Sequence, residues 1–273
     1  MSTRTKMKDK VVIITGASSG IGKALAYAFA AEGCRLVLAA RRIDLLEVLK
    51  KDLAPAEVLI QQTDVSIEND CRTLIDRAVG HFGRIDILIN NAGISMRAVF
   101  EEVELSVIRK LMDVNFWGTV YCTKFALPHL LRTMGSVVGI ISIAGYIGLP
   151  GRTGYAASKF AVRGFLDTLR IENLKKGLHV LVAAPGFTAS EVRMAALTAD
   201  GSKQGETPRN EGKMMSPEKC AGYIVRAVKK RRRQLILTFM EGKISVLLGK
   251  FFPGLTDRLT FNHMAKEPNS PLK

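Results

Sequence analysis

The stretch that most constrains this chain runs from Val11 to Gly22. Val11-Val12-Ile13-Ile14 is a short, β-branched run suited to a central strand buried on both faces. It passes straight into Thr15-Gly16-Ala17-Ser18-Ser19-Gly20-Ile21-Gly22, and a helix follows with Leu25, Ala26, Phe29 and Ala30 on its apolar side. Strand, glycine turn and helix together present backbone N–H groups and a helix N-terminus to a diphosphate. Gly16 permits the tight turn, Gly20 lets the backbone approach phosphates, and Gly22 allows the helix to pack on the strand. The spacing Gly-x-x-x-Gly-x-Gly differs from the common Gly-x-Gly-x-x-Gly, and a glycine turn that binds nothing is the bland alternative. Alternating strand and helix patterns then run on without a linker, which predicts one α/β domain.

A second strand over 35–39 ends in Ala40-Arg41-Arg42. In NAD-binding domains an acid at this place holds the ribose 2′-hydroxyl. An acid would repel a 2′-phosphate, whereas a guanidinium binds one with paired charge-assisted hydrogen bonds. Arg41 and Arg42 therefore predict NADP(H), against the plainer reading of a solvated surface pair. A third strand over 58–62 closes in Thr63-Asp64-Val65. Asp64 can receive an adenine amino group with Val65 on the ring, or it can cap the helix expected over 67–82. The fourth strand, 85–89, leads into Asn90-Asn91-Ala92-Gly93, small and amide-rich as a cofactor-lining turn would be, although a plain turn fits too.

The region 104–134 reads as helix, broken near Gly118 or Pro128, with Asn115 a lone amide among large apolar residues. A sixth strand over 178–183 ends in Ala184-Pro185-Gly186-Phe187-Thr188. Pro185 and Gly186 fix a turn where a nicotinamide would lie, and Thr188 is in place to bond its amide or a phosphate. The polar stretch that follows is expected to form a mobile substrate lid over about 189–215. Ser216-Pro217 opens another helix by cap and N1 proline, and a seventh strand is expected over 235–239.

The segment 139–159 carries the most specific chemistry. An apolar strand over 137–141 places Ser142 at its carboxyl end, and Tyr155 and Lys159 lie four apart on one face of the next helix. Bringing a phenol that titrates at about 10 to neutrality takes about 4 kcal/mol, and a neighbouring cation supplies stabilisation of that sign. Ser142 adds a neutral donor to a substrate oxygen. Taken alone, Tyr-x-x-x-Lys reads first as an exposed tyrosine beside a solvated lysine, and the rest of the chain supplies the context that changes this.

The formal net charge of +15 favours phosphate-bearing ligands, anionic membranes or nucleic acid without choosing among them. Cys34, Cys71, Cys122 and Cys220 are scattered, as reduced thiols of an intracellular protein would be, and the spacing of cysteines and histidines predicts no metal site. The charged start and the lack of a long apolar run point to a cytoplasmic protein. In the tail, Ile244, Leu247, Leu248, Phe251 and Leu255 recur at helical spacing among lysines. That tail is expected to cover the substrate pocket or a neighbouring subunit; the sharper alternative is peripheral membrane contact through 229–261.

Together these residues resemble the short-chain dehydrogenase/reductase family over about 10–239. Thr15-Gly16-x-x-x-Gly20-x-Gly22, Asn90-Asn91-Ala92-Gly93, Asn115, Ser142, Tyr155-x-x-x-Lys159 and Pro185-Gly186 stand in that family's order and spacing. The resemblance implies a Rossmann-type, doubly wound sheet of seven parallel strands in the order 3-2-1-4-5-6-7. It would lie between two helical layers as one catalytic domain, 1–240, with a carboxy-terminal amphipathic extension, 241–273. It implies hydride transfer between NADP(H) and a ketone or secondary alcohol, here bulky and apolar. Tyr155 would be the general acid–base, and Lys159 would lower its pKa and hold the nicotinamide ribose. Ser142 would orient the carbonyl and Asn115 would hold a water on a proton path to Lys159. Ser18, Ser19 and Ile21 complete the implied cofactor turn, and homodimers or homotetramers would form through 104–134 and 155–176. Met96, Tyr146, Ile147 and Phe187 would line the pocket. The rivals are a catalytically idle nucleotide-binding protein and a basic peripheral membrane protein. No nucleic-acid motif is found.

Overall fold

The computed structural model describes residues 6–189, 193–207, 212 and 214–272. Seven parallel strands are ordered β3-β2-β1-β4-β5-β6-β7. They are β1 (Val11–Thr15), β2 (Arg35–Ala40), β3 (Val58–Gln62), β4 (Ile87–Asn90), β5 (Ser136–Ile140), β6 (His179–Ala184) and β7 (Gln234–Ile236). Alternation of side chains across β1 explains both helical layers. Val12 and Ile14 join the core under α1 (Gly20–Ala31), α2 (Ile43–Asp52) and α7 (Pro217–Lys229). Val11 and Ile13 join the opposite core, under α3 (Glu68–Phe82), α5 (Gly118–Arg132) and α6 (Thr153–Glu172). The strand order reverses between β1 and β4, which opens a crevice beyond their carboxyl ends.

One local expectation is resolved in favour of Gly118 and three are revised. The break in the long helical region is a π turn, Met112–Trp117, between α4 (Leu105–Leu111) and α5; Pro128 lies inside α5 without ending it. The fourth strand starts later, at Ile87. Asp86 still bonds both neighbouring strands through its backbone, its N donating to Val11 O at 3.0 Å and its O accepting Ser136 N at 2.8 Å, while its buried carboxylate accepts Val11 N at 3.0 Å and Lys10 Nζ at 2.8 Å. The seventh strand stops at Ile236, since Thr238 turns the chain at φ 66°. Asp64 does not cap α3: its Oδ1 accepts Ser66 N at 3.0 Å and Ser66 Oγ at 2.7 Å, and the helix begins after Ile67 with no side-chain cap. Ser216 does cap α7, accepting Lys219 N at 3.2 Å.

The tail forms α8 (Ser245–Phe251) and α9 (Pro253–Ala265). A Cβ at Gly249 would meet Ile147 at 2.9 Å, and the His263 and Phe187 rings are 6.5 Å apart. The extension therefore packs beside the carboxyl ends of β5 and β6. Among the described residues no helix is long and apolar enough to cross a membrane.

Candidate active site

The crevice gathers the residues singled out by the sequence. Gly16 takes φ 65°, and a Cβ there would lie 2.8 Å from Ala92 Cα. A Cβ on Gly22 would lie 2.2 Å from Gly16 O, so no other residue fits this helix–turn contact. Asn91 stitches the turn after β4 to the turn after β1. Its Nδ2 donates to Thr15 O at 3.0 Å and Gly16 O at 3.2 Å, while Asn91 N and Ala92 N donate to Thr15 Oγ1 at 3.0 and 3.1 Å. Ser19 precedes α1 but makes no side-chain cap, so the N–H groups of Gly20, Ile21 and Gly22 are free of one. The arrangement fits a diphosphate held by backbone donors and the helix dipole.

Arg42, not Arg41, is drawn onto this turn. Its Nη2 donates to Ser18 Oγ at 3.2 Å and Ser19 Oγ at 3.0 Å. Arg41 is exposed at the end of β2, its carbonyl accepting from Gln62 Nε2 at 3.1 Å. Val65 is buried against Gly118, which leaves little of its side chain to cover a ring. Pro185 O accepts Ile143 N at 3.4 Å, and the Thr188 hydroxyl, itself buried, donates to Gly186 O at 3.2 Å. Gly186 packs against Thr238, where a Cβ would meet Oγ1 at 2.6 Å.

The catalytic candidates lie on the other wall. Ser142 follows β5 and accepts Ala144 N at 3.2 Å, which fixes its side chain at the head of a short 3₁₀ turn. Tyr155 lies in the first turn of α6 with Lys159 one turn on, Nζ 5.7 Å from the phenol ring centre. Lys159 Nζ donates to Ile140 O at 3.0 Å. A Cβ on Gly93 would crowd both Asn115 Oδ1, at 3.0 Å, and Lys159 Nζ, at 3.3 Å, so the bare backbone here leaves room beside the amine. Asn115 Oδ1 accepts Ile94 N at 2.8 Å, and its Nδ2 donates to Ile94 O at 3.0 Å and Ser158 Oγ at 2.9 Å. The amide thus ties the π turn, the loop after β4 and α6 together.

Burial dominates the titration of both groups. It pushes the Tyr155 phenol above its ordinary value, against a hydrogen bond from Ser142 and the positive charges of Arg152 and Arg193. Burial also lowers the Lys159 ammonium to about 8. An enclosed amine pays to carry its charge, and Arg152 and Arg193 are the cations that lower the phenol here. Ser142 and Tyr155 present two neighbouring hydroxyl donors to one oxygen, with a proton reservoir on Lys159.

Tyr146 is not in this site. Its hydroxyl accepts Gln234 Nε2 at 2.7 Å and its ring lies under Arg163. It lines a separate cavity of about 360 Å³ with Asp167 and Arg170. Another cavity, of about 560 Å³, lies beyond the amino ends of the strands at Tyr27 and Asp52. Met96 is buried and bridges Leu197, in the stretch expected to be a lid. Within that stretch Leu197 N donates to Ser95 O at 2.9 Å and Glu104 N to Ala199 O at 2.9 Å, so 193–207 is a seated flap. Positions 190–192, 208–211 and 213 of the expected lid lie outside the described residues. Arg152 and Arg193 were missed by the motif reading. Arg152 and Lys159 are the only charges in 139–159, a signal that could have found the arginine.

A family model described as short chain dehydrogenase matches residues 10–200. This chain belongs to that family. Its members are oxidoreductases, and the relatives span most of the chain. A dehydrogenase/reductase SDR family protein 7-like of Drosophila melanogaster is 37% identical over 259 residues, covering 92% of this chain and 79% of its own. An 11-beta-hydroxysteroid dehydrogenase-like 2 of Arabidopsis thaliana is 42% identical over 187 residues, or 67% of this chain and 60% of its own. The solved alcohol dehydrogenase of Thermococcus sibiricus, complexed with 5-hydroxy-NADP, superposes with a TM-score of 0.75 at 28% identity, covering 84% of this chain and 96% of that one. A short-chain dehydrogenase/reductase of Burkholderia phymatum in complex with NAD gives 0.77 at 25% identity, covering 85% and 89%. Structural neighbours in the family thus hold either nicotinamide dinucleotide.

Proposed function

We propose that the protein is an NADP(H)-dependent oxidoreductase that interconverts a bulky, apolar ketone and its secondary alcohol. The observation that carries this reading is the Ser142–Tyr155 hydroxyl pair with the buried Lys159 amine one turn along α6. A bound nicotinamide supplies or takes up the hydride. Tyr155 gives its proton to the developing alkoxide in reduction and recovers it in oxidation, while Ser142 orients the carbonyl through its second hydrogen bond. Lys159 holds the proton that replaces the one given by Tyr155 and would hold the ribose hydroxyls of the bound nucleotide. Asn115 keeps Ile94 and Ser158 in register, which holds α6 against that loop.

The preference for NADP(H) is supported by Arg42 on Ser18 and Ser19 and by alanine at position 40. A 2′-phosphate beside Ser18 can exchange these hydroxyls for itself as the partner of the guanidinium, which a bare ribose cannot do as strongly. Fluorescence titration of NADPH and NADH on wild type, Arg41→Ala and Arg42→Ala tests this. Arg42→Ala is expected to weaken NADPH binding about tenfold or more, with NADH nearly unchanged and a smaller effect from Arg41→Ala. Equal affinity of wild type for both cofactors would sink the reading.

An apolar substrate is supported by the half-buried Ile147 and Phe187 beyond β5 and β6, and by the name of the plant relative, which suggests a steroid-like or other lipid-like molecule. An idle nucleotide-binding protein would have no use for the assembled hydroxyl pair and buried amine. Nucleic-acid binding through 229–233 is disfavoured because Lys229 pairs with Glu32 and Arg231 donates to Met134 O and Gly177 O. Self-association is supported by the exposed Trp117, at the end of the π turn before α5, and Phe160 on α6. Cytoplasmic residence with peripheral membrane contact through the tail completes the reading.

A further inference from the structure

Beyond α9 the chain turns back and buries a carboxylate among arginines beside the site. Glu267 is only 6% exposed, and its Oε2 lies 3.6 Å from Arg97 Nη2 and 3.9 Å from Arg152 Nη2. Both arginine side chains are also buried. Arg97 Nη2 donates to Pro268 O at 2.6 Å, and Arg152 Nη1 to Met96 O at 2.7 Å. The neighbouring residues are fastened as well. Ser270 Oγ donates to Met264 O at 3.0 Å, Asn269 Nδ2 to Glu206 Oε1 at 3.3 Å, and Pro271 Cγ stands 3.1 Å from where a Cβ on Gly151 would be.

These arginines belong to the segments that converge on Tyr155. Arg97 N donates to Leu197 O at 2.8 Å, and Ala98 N to Gly151 O at 3.0 Å. Arg152 precedes α6 and its carbonyl accepts Ala156 N at 2.8 Å. Tyr155 itself packs on the small apolar cluster of Met96, Val107, Leu111 and Leu197. One carboxylate therefore connects the loop after β4, the flap 193–207 and the start of the catalytic helix. Buried charges are tolerated when they are paired, so the acid and the arginines hold each other in place.

We propose that Glu267 is a positioning residue that locks the carboxy-terminal segment as a clasp. Paired with Arg97 and Arg152, it holds 94–98, 193–207 and the start of α6 together, setting the place of Tyr155 and the width of the substrate mouth. The kinetic part of this proposal rests on Tyr155 as acid–base; the structural part does not. Ser142, Lys159, Arg152 and Arg193 face Tyr155, and Glu267 acts on it only through Arg152. Arg152 favours the phenolate. Removing the negative charge of Glu267 strengthens that effect, so the phenol should lose its proton at lower pH.

The test is hydrogen exchange by mass spectrometry on the full chain, comparing wild type, Glu267→Gln, Glu267→Asp and Arg97→Gln. Glu267→Gln is expected to speed exchange about tenfold or more in 94–98 and 193–207 as well as in 264–272, with β1 and α1 unchanged and NADPH affinity within about twofold. Glu267→Asp should restore part of the protection. Arg97→Gln leaves Arg152 and Glu267 as a neutral pair, so it should fold readily. Because Arg97 Nη1 also lies 3.9 Å from Glu206 Oε1 in the flap, its readout is faster exchange in 264–272 and 94–98 if Glu267→Gln does not fold. In turnover, Glu267→Gln should bring the alkaline fall of the reduction rate to lower pH and change KM for bulky ketones more than kcat. Faster exchange confined to 264–272, with an unmoved pH profile, would overturn the clasp. A wild type that reduces no ketone would count against the proposed function and leave exchange to decide the clasp by itself.

Discussion

Tyr155 and Lys159 illustrate how enclosure changes a pair that spacing alone suggests. The amine is lowered from 10.5 to about 8 by burial, so keeping it protonated at neutral pH costs folding free energy. A basic group depressed on folding destabilises the native state below its unfolded pKa, and that penalty disappears as pH rises towards and past 10.5. Lys159→Met should therefore raise stability at pH 7, by at most about 3 kcal/mol, while turnover is lost. Thermal melts paired with activity assays check it; a variant that melts lower than wild type would show that the bond to Ile140 O outweighs the cost. Any step that needs the ammonium should fade as pH climbs through about 8. Tyr155→Phe should lower kcat by about 10²–10⁴-fold with NADPH binding retained. The spacing of Tyr155, Lys159 and Ser142 was legible because it is local. Their surroundings were not, since Arg152, Arg193 and Glu267 reach the site through tertiary contacts that no periodicity records.

Strand β6 begins with a histidine that joins three elements. His179 Nδ1 accepts from Ser136 Oγ at 2.9 Å on β5, and Nε2–H donates to Arg232 O at 2.8 Å in the loop before β7. Burial lowers it to about 4, helped by the charge of Arg231 and opposed by the bond to Arg232 O. The neutral ring thus stabilises the fold fully above the unfolded value of 6.5, and that contribution is lost as pH falls from 6.5 towards 4. His179→Gln should flatten this acid limb by about 2–3 kcal/mol, read by urea melts between pH 7 and 4. An identical limb in wild type and variant would assign the loss to carboxylates instead. At this level the sequence reads well where one local rule decides, as in the glycine turn of 16–22 or the Ser216 cap. It reads poorly where a distant side chain overrules it. Gln234 and Arg163 draw Tyr146 away from the pocket its position suggests. Pro128 is tolerated because α5 continues around it.

The extension gives the molecule two differently used surfaces on one pair of helices. Inward, Gly249 meets Ile147 and His263 meets Phe187, so the tail forms part of the wall around the proposed substrate site. Outward, Leu247 and Phe251 on α8 and Leu255 and Leu259 on α9 are each half or more exposed, every pair one helical turn apart, with Lys250 between them. Single exposed apolar residues are ordinary, but pairs of them on two successive helices beside a cationic side chain suit an anionic lipid surface. The chain's formal charge of +15 adds attraction at long range that salt weakens. Vesicles carrying anionic lipid should retain the protein at low salt, less at high salt, and less again for Phe251→Glu with Leu255→Glu. Because Phe251 and Leu255 are half or more exposed, NADPH binding should be untouched by the double substitution. Retention that ignores both salt and the substitutions would remove the membrane reading and leave the exposed pairs to a second copy of the chain, which light scattering would then register as a concentration-dependent mass above 29.9 kDa. An apolar substrate dissolved in the bilayer would reach Tyr155 by the shortest route if the same tail both touches lipid and closes the pocket.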